Sequence, residues 1–178
     1  MELLKELLPS LSRVAVLINP ANSFSAVALH NARPAATALG LRIDPVEASS
    51  IADLVERALP ALRSDRPDAV LITADRGPLL IGRTRIAEFL TTNRLPSISS
   101  YYEHVQAGGL MAYAANYHAT FRRNLALVVD KIFKGTKAGD LPVQQPTEFE
   151  LIFNLNTAKA IGLTIPPTLL TRADQVID

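Results

Sequence analysis

The chain contains no cysteine, which excludes thiolate metal sites, thiol nucleophiles and structural disulfides together. A surplus of one charge is also missing. Eighteen Lys and Arg stand against 17 Asp and Glu, a net charge of +1 with neither sign gathered in a block. Nucleic acid and anionic membrane surfaces find no electrostatic footprint here, and neither is expected as a partner. Long apolar runs are absent: a stretch such as Val14–Ile18 is strand-sized and far short of a bilayer span. The opening residues, MELLKELLPSLSR, read as an amphipathic helix ending near Pro9 rather than as a charged-then-apolar export signal. By its own sequence the chain is expected in the cytosol.

Catalytic signatures are missing too. No G-x-G-x-x-G follows the first strand and no G-x-x-x-x-G-K-[ST] occurs, so dinucleotide and P-loop sites are not expected. No G-x-S-x-G elbow is found. His30, His104 and His118 are not at metal-ligand spacing, and no metal or cofactor is expected. Glu103 and His104 are neighbours, but adjacent residues on a turn point apart, and a solvated pair is the simpler expectation. These absences point to binding without chemistry.

What the chain does have is an ordinary globular make-up over 178 residues, 48% apolar and 20% charged, enough for one domain or slightly more. Apolar period and turn residues set out a βα rhythm. RVAVLI (13–18) reads as a doubly buried strand, NPANS as a turn, and about 23–39 as a helix closed by Gly40. LRIDPVEA (41–48) is a second strand. Ser50 with Asp53 resembles a capping box opening a helix to about Ser64. Strands are expected at 68–74, 96–100 and 109–114, with a helix over 79–93 between the first two. From Asn116, apolar residues at Tyr117, Phe121, Leu125, Val128, Val129 and Ile132 mark one face of a long helix stopped by Gly135. TEFELIFN (147–154) alternates as a strand, a helix spans 156–162, and a Pro-Pro turn leads into the tail. Pro34 and Pro60 fall inside called-for helices, where a kink or a split is expected. The pattern specifies an α/β fold with a doubly wound, mostly parallel sheet. It divides the chain into an α/β domain over 1–115, a crossing helix and linker over 116–146, and a returning strand and tail over 147–178.

In such a sheet ligands bind outside the carboxyl ends of the strands. Those ends carry Asn19, Asn22 and Ser23, then Asp75, then Tyr101, Tyr102 and Glu103, then Asn116 and Tyr117. Amides, hydroxyls, carboxylates and rings together suit a small zwitterion or polar organic solute. Asn19, Asn22 and Ser23 would donate to polar groups beside a helix N-terminus, Asp75 or Glu103 would pair an ammonium, and Tyr101 and Tyr102 would enclose the side chain. Each also has a structural reading: Asn19 and Ser23 as turn and N-cap residues, Asp75 and Asn116 as caps, the tyrosines as half-buried packing.

The phrases AGGLMAY (107–113), DKIFKG (130–135), DLPVQQPTEFELIFNLNTAKAIGLTIPP (140–167) and RADQVID (172–178) carry a resemblance. With SRVAVLINPAN (12–22) and LLKELLPSLS (3–12) upstream, the chain resembles the ABC-transporter substrate-binding proteins of the tryptophan and tyrosine type. The resemblance implies two doubly wound lobes of the type I periplasmic-binding-protein kind, hinged around a solute that is handed to a membrane permease. On that mapping 1–115 is the carboxy-terminal lobe, helix 116–134 crosses toward a first lobe that is missing here, and TEFELIFN returns. The resemblance implies a small amino-acid-like or aromatic solute, an ABC permease as partner of a complete protein, and a periplasmic location. It also leaves an apolar face on helix 116–134 through which the chain is expected to self-associate. The alternative is a cytosolic regulatory or interaction module derived from such a lobe.

Overall fold

The structure, a computed structural model, describes residues 1–142 and 145–178, apart from the side chains at positions 118, 119, 123 and 124. The expectations on His118 and on linker residues Val143 and Gln144 therefore lie outside the described residues. The chain begins with α1 (Glu2–Leu7), β1 (Arg13–Ile18), α2 (Ser23–Ala38) and β2 (Arg42–Glu47). A continuous helical stretch follows, made of α3 (Ile51–Asp53), a π-helical turn (Leu54–Ala58) and α4 (Leu59–Asp65). Next come β3 (Ala69–Ile72), α5 (Pro78–Ile81), α6 (Arg83–Thr92), β4 (Ser97–Ser99), α7 (Glu103–Gln106) and β5 (Met111–Ala115). The long α8 (Tyr117–Phe133) precedes β6 (Phe149–Asn154), α9 (Leu155–Ile161), α10 (Pro167–Leu170) and β7 (Gln175–Ile177).

The strands form one seven-stranded sheet in the order β2-β1-β3-β4-β5-β6-β7. Every pairing is parallel except β5 with β6, where Ala114 faces Glu150 and Ala115 faces Phe149. The doubly wound, mostly parallel α/β sheet expected from the sequence is the one observed. Strand side chains alternate between two cores, as the period of two requires. Val14, Ala69, Met111 and Phe153 pack with α1, α9 and α10, while Ala15, Leu17, Val70 and Ile72 meet Leu54, Leu62, Leu79 and Ile86 on the other face. No helix among the described residues is long and apolar enough to cross a membrane.

Four local readings are corrected. Pro34 does not split α2, which runs unbroken across it. Pro60 also leaves its helix whole: the turn before it widens to π geometry, with the Leu59 N–H bonded to the Leu54 carbonyl. The wider turn makes room for a ring that would otherwise press on the carbonyl four residues back. The helix expected over 79–93 is broken at Gly82, where an added Cβ would lie 2.5 Å from Leu54 Cδ2 and 2.8 Å from the Pro78 carbonyl oxygen. The tail is not a mere extension, because it adds the edge strand β7, tied by the Asp174 N–H and carboxylate to Leu151.

Candidate functional site

Strand order reverses between β1 and β3, so their following loops diverge and open a crevice at the carboxyl edge. Asn19, Asn22 and Asp75 meet there, and they fill it. Asn19 Nδ2 donates to Asp75 Oδ1 at 3.0 Å, and Asn22 Nδ2 donates to the same oxygen at 3.2 Å and to the Ala74 carbonyl at 3.1 Å. The Leu79 N–H donates to Asp75 Oδ2 at 3.1 Å, so the carboxylate also caps the start of α5. Both amide oxygens are occupied as well: Asn19 Oδ1 accepts from the Ala21 N–H and Asn22 Oδ1 from the Phe24 N–H, each at 3.0 Å. Asn22 is thus the N-cap of α2, and Ser23, expected in that role, is the exposed first helical residue. Asp75 is only 3% exposed, and Gly77 lies so close that a Cβ there would meet Asp75 Oδ2 at 3.2 Å. The cluster is a buried clasp between two loops, with its polar atoms turned on one another.

The remaining predicted residues gather around an open pocket further along the same edge. It encloses about 350 Å³ and is lined by Tyr101, Tyr102 and Glu103 after β4, and by Ala114, Ala115, Asn116 and Tyr117 at the end of β5. Gln106, Glu150 and Gln175 complete it, and sequence reasoning missed all three. Glu150 and Gln175 stand at the beginnings of strands, whereas the residues that the sequence suggests follow strand ends. The antiparallel turn-about of β6 brings its first residues to the carboxyl edge of β5, and β7, parallel to β6, follows it. A strand that returns after the long helix leaving β5 is the signal that would have found them. The Asn116 side-chain amide donates to the Glu150 carboxylate, and the Asn116 N–H donates to the Glu148 carbonyl at 2.9 Å. These bonds join the base of α8 to the start of β6.

Arg76, also missed, links the two regions. Its guanidinium carbon lies 5.7 Å from the centre of the Tyr101 ring and 5.8 Å from that of Tyr117, a cation held over two pocket-lining rings. Burial, with Tyr117 beside it, holds the Tyr101 phenol above its usual pKa, so it presents a neutral hydroxyl. The Ser99 hydroxyl donates to the Tyr101 carbonyl at 2.7 Å and fixes that loop from below.

The solvated Glu103–His104 pair is corrected. The two side chains do point apart, but only Glu103 faces the pocket. His104 is 2% exposed and lies in the core among Ile86, Ser97 and Met111. Neither of its ring nitrogens has a hydrogen-bond partner among the described residues. Burial, with Arg83 adding to it, lowers its pKa to about 4, so the ring is neutral near pH 7.

No curated protein matches the chain. Among solved structures it is similar to a conserved domain protein from Vibrio cholerae O1 biovar eltor, with 23% identity, a TM-score of 0.88, and cover of 98% of this chain and 58% of that one. The ABC domain in complex with L-Trp from Streptococcus pneumonia superposes with a TM-score of 0.87 at 23% identity, over 99% of this chain and 60% of that one. A ligand-free, open substrate binding protein with adhesive properties from Clostridium difficile gives a TM-score of 0.74 at 22% identity, over 99% and 58%. The chain therefore spans a little under two thirds of the length of these neighbours, and at such identities the likeness establishes the fold. The family model described as ABC transporter substrate binding protein matches residues 1–177. A match that runs from the first residue to the last but one places the chain in the family of ABC transporter substrate binding proteins.

Proposed function

We propose that the chain supplies one wall of a solute-binding cleft in an ABC importer, and that the solute is a small amino-acid-like or aromatic molecule held without chemistry. The observation that carries this reading is the pocket of about 350 Å³ lined by Tyr101, Tyr102 and Tyr117 with Glu103 and Glu150. Rings offer a flat apolar surface, and carboxylates offer charge to an ammonium. The size falls in the range of small-molecule sites. The Streptococcus neighbour, a complex with L-Trp, supports the same class.

The opposing wall of such a cleft would come from the part of the neighbours for which this chain has no counterpart, and α8, with Phe121, Leu125 and Phe133 exposed along it, would be the segment that crosses toward it. Closure of two walls excludes water and strengthens each polar contact, so a single wall binds more weakly than a closed cleft. In the complete importer the loaded protein would work outside the cytoplasm and dock on a permease.

Amide-resolved NMR of the 178-residue chain, titrated with the common amino acids, tests the reading. Shifts centred on Tyr101, Glu103, Asn116 and Glu150 with aromatic amino acids are the expected outcome. Amides that stay still up to solubility with every amino acid would overturn the assigned solute class.

A further inference from the structure

We propose that Arg76 reads the solute's carboxylate while Glu103 receives its ammonium, so that the site selects zwitterionic amino acids over amines and acids bearing the same side chain. The inference rests on the solute-binding reading above and names the groups that give it specificity. Among the described residues Arg76 takes part in no ion pair, nor does Glu103. One unpaired cation and one unpaired anion therefore stand at the same pocket, the first over two rings that line it, the second in its wall.

The surroundings of Arg76 suit this role. Its neighbour Asp75, the nearest carboxylate in sequence, is buried and occupied by Asn19, Asn22 and the Leu79 N–H. That clasp anchors the backbone from which Arg76 extends and removes Asp75 as a competing partner. The rings of Tyr101 and Tyr117 flank the guanidinium, their centres 5.7 and 5.8 Å from its carbon. One of its N–H groups meets the Tyr101 hydroxyl; those that remain are left for an acceptor, and a carboxylate matches their fork with two parallel hydrogen bonds. The groups the sequence suggested for this task are otherwise engaged: Asn19 and Asn22 face Asp75, and the Phe24 N–H of α2 is capped by Asn22. Glu150 already accepts from Asn116, which leaves Glu103 as the carboxylate open to an ammonium.

Charge balance then gives the selectivity. A zwitterion pairs both groups. An amine without the carboxylate leaves Arg76 unpaired in the closing site, and an acid without the amine leaves Glu103 so; each pays for desolvating a charge with no partner.

The test is an amide-resolved NMR titration of the 178-residue chain with L-tryptophan, tryptamine and indole-3-propionate, repeated on R76Q and R76K. The expected order for the parent is L-tryptophan tightest. In R76Q, L-tryptophan weakens about 3- to 10-fold, the loss of a solvent-exposed charged contact, to the level of tryptamine. Tryptamine itself stays within about twofold of the parent, since it makes no use of the lost charge. R76K, which keeps the charge without the fork, falls between. The inference is overturned if R76Q keeps the preference for L-tryptophan, if it weakens all three probes alike, or if the parent binds tryptamine as tightly as L-tryptophan. Pocket amides of the parent that respond to none of the three would instead remove the solute-binding reading, and this inference with it. A dispersed R76Q spectrum is the check that the exposed substitution leaves the fold intact.

Discussion

Asp75 accepts hydrogen bonds from two side-chain amides of the loop after β1 and from the first turn of α5, while only 3% of its surface is exposed. Its removal acts on stability first. In D75N one acceptor oxygen becomes an NH₂ group, set against either the Leu79 N–H or the amides of Asn19 and Asn22. One side of the clasp then has donor facing donor, and a buried donor without an acceptor costs about 2 kcal/mol. Urea unfolding of D75N at pH 7 should show an unfolding free energy lowered by that amount, seen as a lower midpoint with an unchanged slope; an unaltered midpoint would remove the clasp as a stabilising feature. Asn19, Asn22 and Asp75 were legible in the sequence as polar residues at strand ends. That they would bond to one another was not, because Asp75 lies 56 and 53 residues beyond them and only the neighbouring positions of β1 and β3 bring the loops together.

At the scale of elements, the short α7 shows how one turn divides its residues between core and pocket. Glu103 and Gln106 line the pocket, while His104 and Val105 are buried behind it. The helix is held by few bonds from outside, among them Asn154 Nδ2 to the Val105 carbonyl and Thr157 Oγ1 to the Gly108 carbonyl just beyond it. His104 makes its stability depend on pH. Its pKa falls from an ordinary 6.5 to about 4 on folding, so the unfolded chain binds the proton more tightly. Stability is therefore whole above about pH 6.5 and declines as pH falls toward 4, by on the order of 2–3 kcal/mol at the acid end. Arg83 adds to the penalty by repelling the charged ring. The expected result is a fall in the urea midpoint from pH 7 to pH 4.5 that is distinctly smaller in H104L. Equal falls in parent and variant would show that His104 does not carry the dependence. Nothing in the period of so short an element told which side His104 would take, since one helical turn carries no repeat to read.

At the scale of the molecule, α8 carries a row of apolar side chains that the other described residues leave exposed. Its 17 residues extend about 25 Å, and Phe121, Leu125, Ile132 and Phe133 are exposed along it, the last at 86%. The sheet adds Tyr113 of β5 stacked on Phe149 of β6, with ring centres 5.4 Å apart and both residues about half exposed. An apolar surface of this extent seeks cover. We expect the 178-residue chain to self-associate through it, visible in sedimentation velocity as a sedimentation coefficient that rises with concentration, and to be returned to a monomer by F121Q combined with L125Q. A monomer at high concentration, or association indifferent to the double substitution, would count against that expectation.

The amphipathic period of α8, the apolar strands β1 and β3 and the alternation of β6 were local properties, and the sequence alone determined them together with the α/β class. Their signals lie within spans of a few to some twenty residues, where hydrophobic period and turn chemistry act directly. Five of the nine residues that the sequence suggests for the site, Tyr101, Tyr102, Glu103, Asn116 and Tyr117, line the pocket for the same reason: they follow strands whose ends are readable. The tertiary structure decided the rest. The strand order closed the crevice between β1 and β3 with Asn19, Asn22 and Asp75, and the antiparallel return of β6 carried Glu150 and Gln175 to the pocket. It also brought Arg76 to two rings, one from the loop after β4 and one from the start of α8. These are pairings between segments distant in the chain, and they are set by which strands lie side by side, a choice that no local pattern encodes.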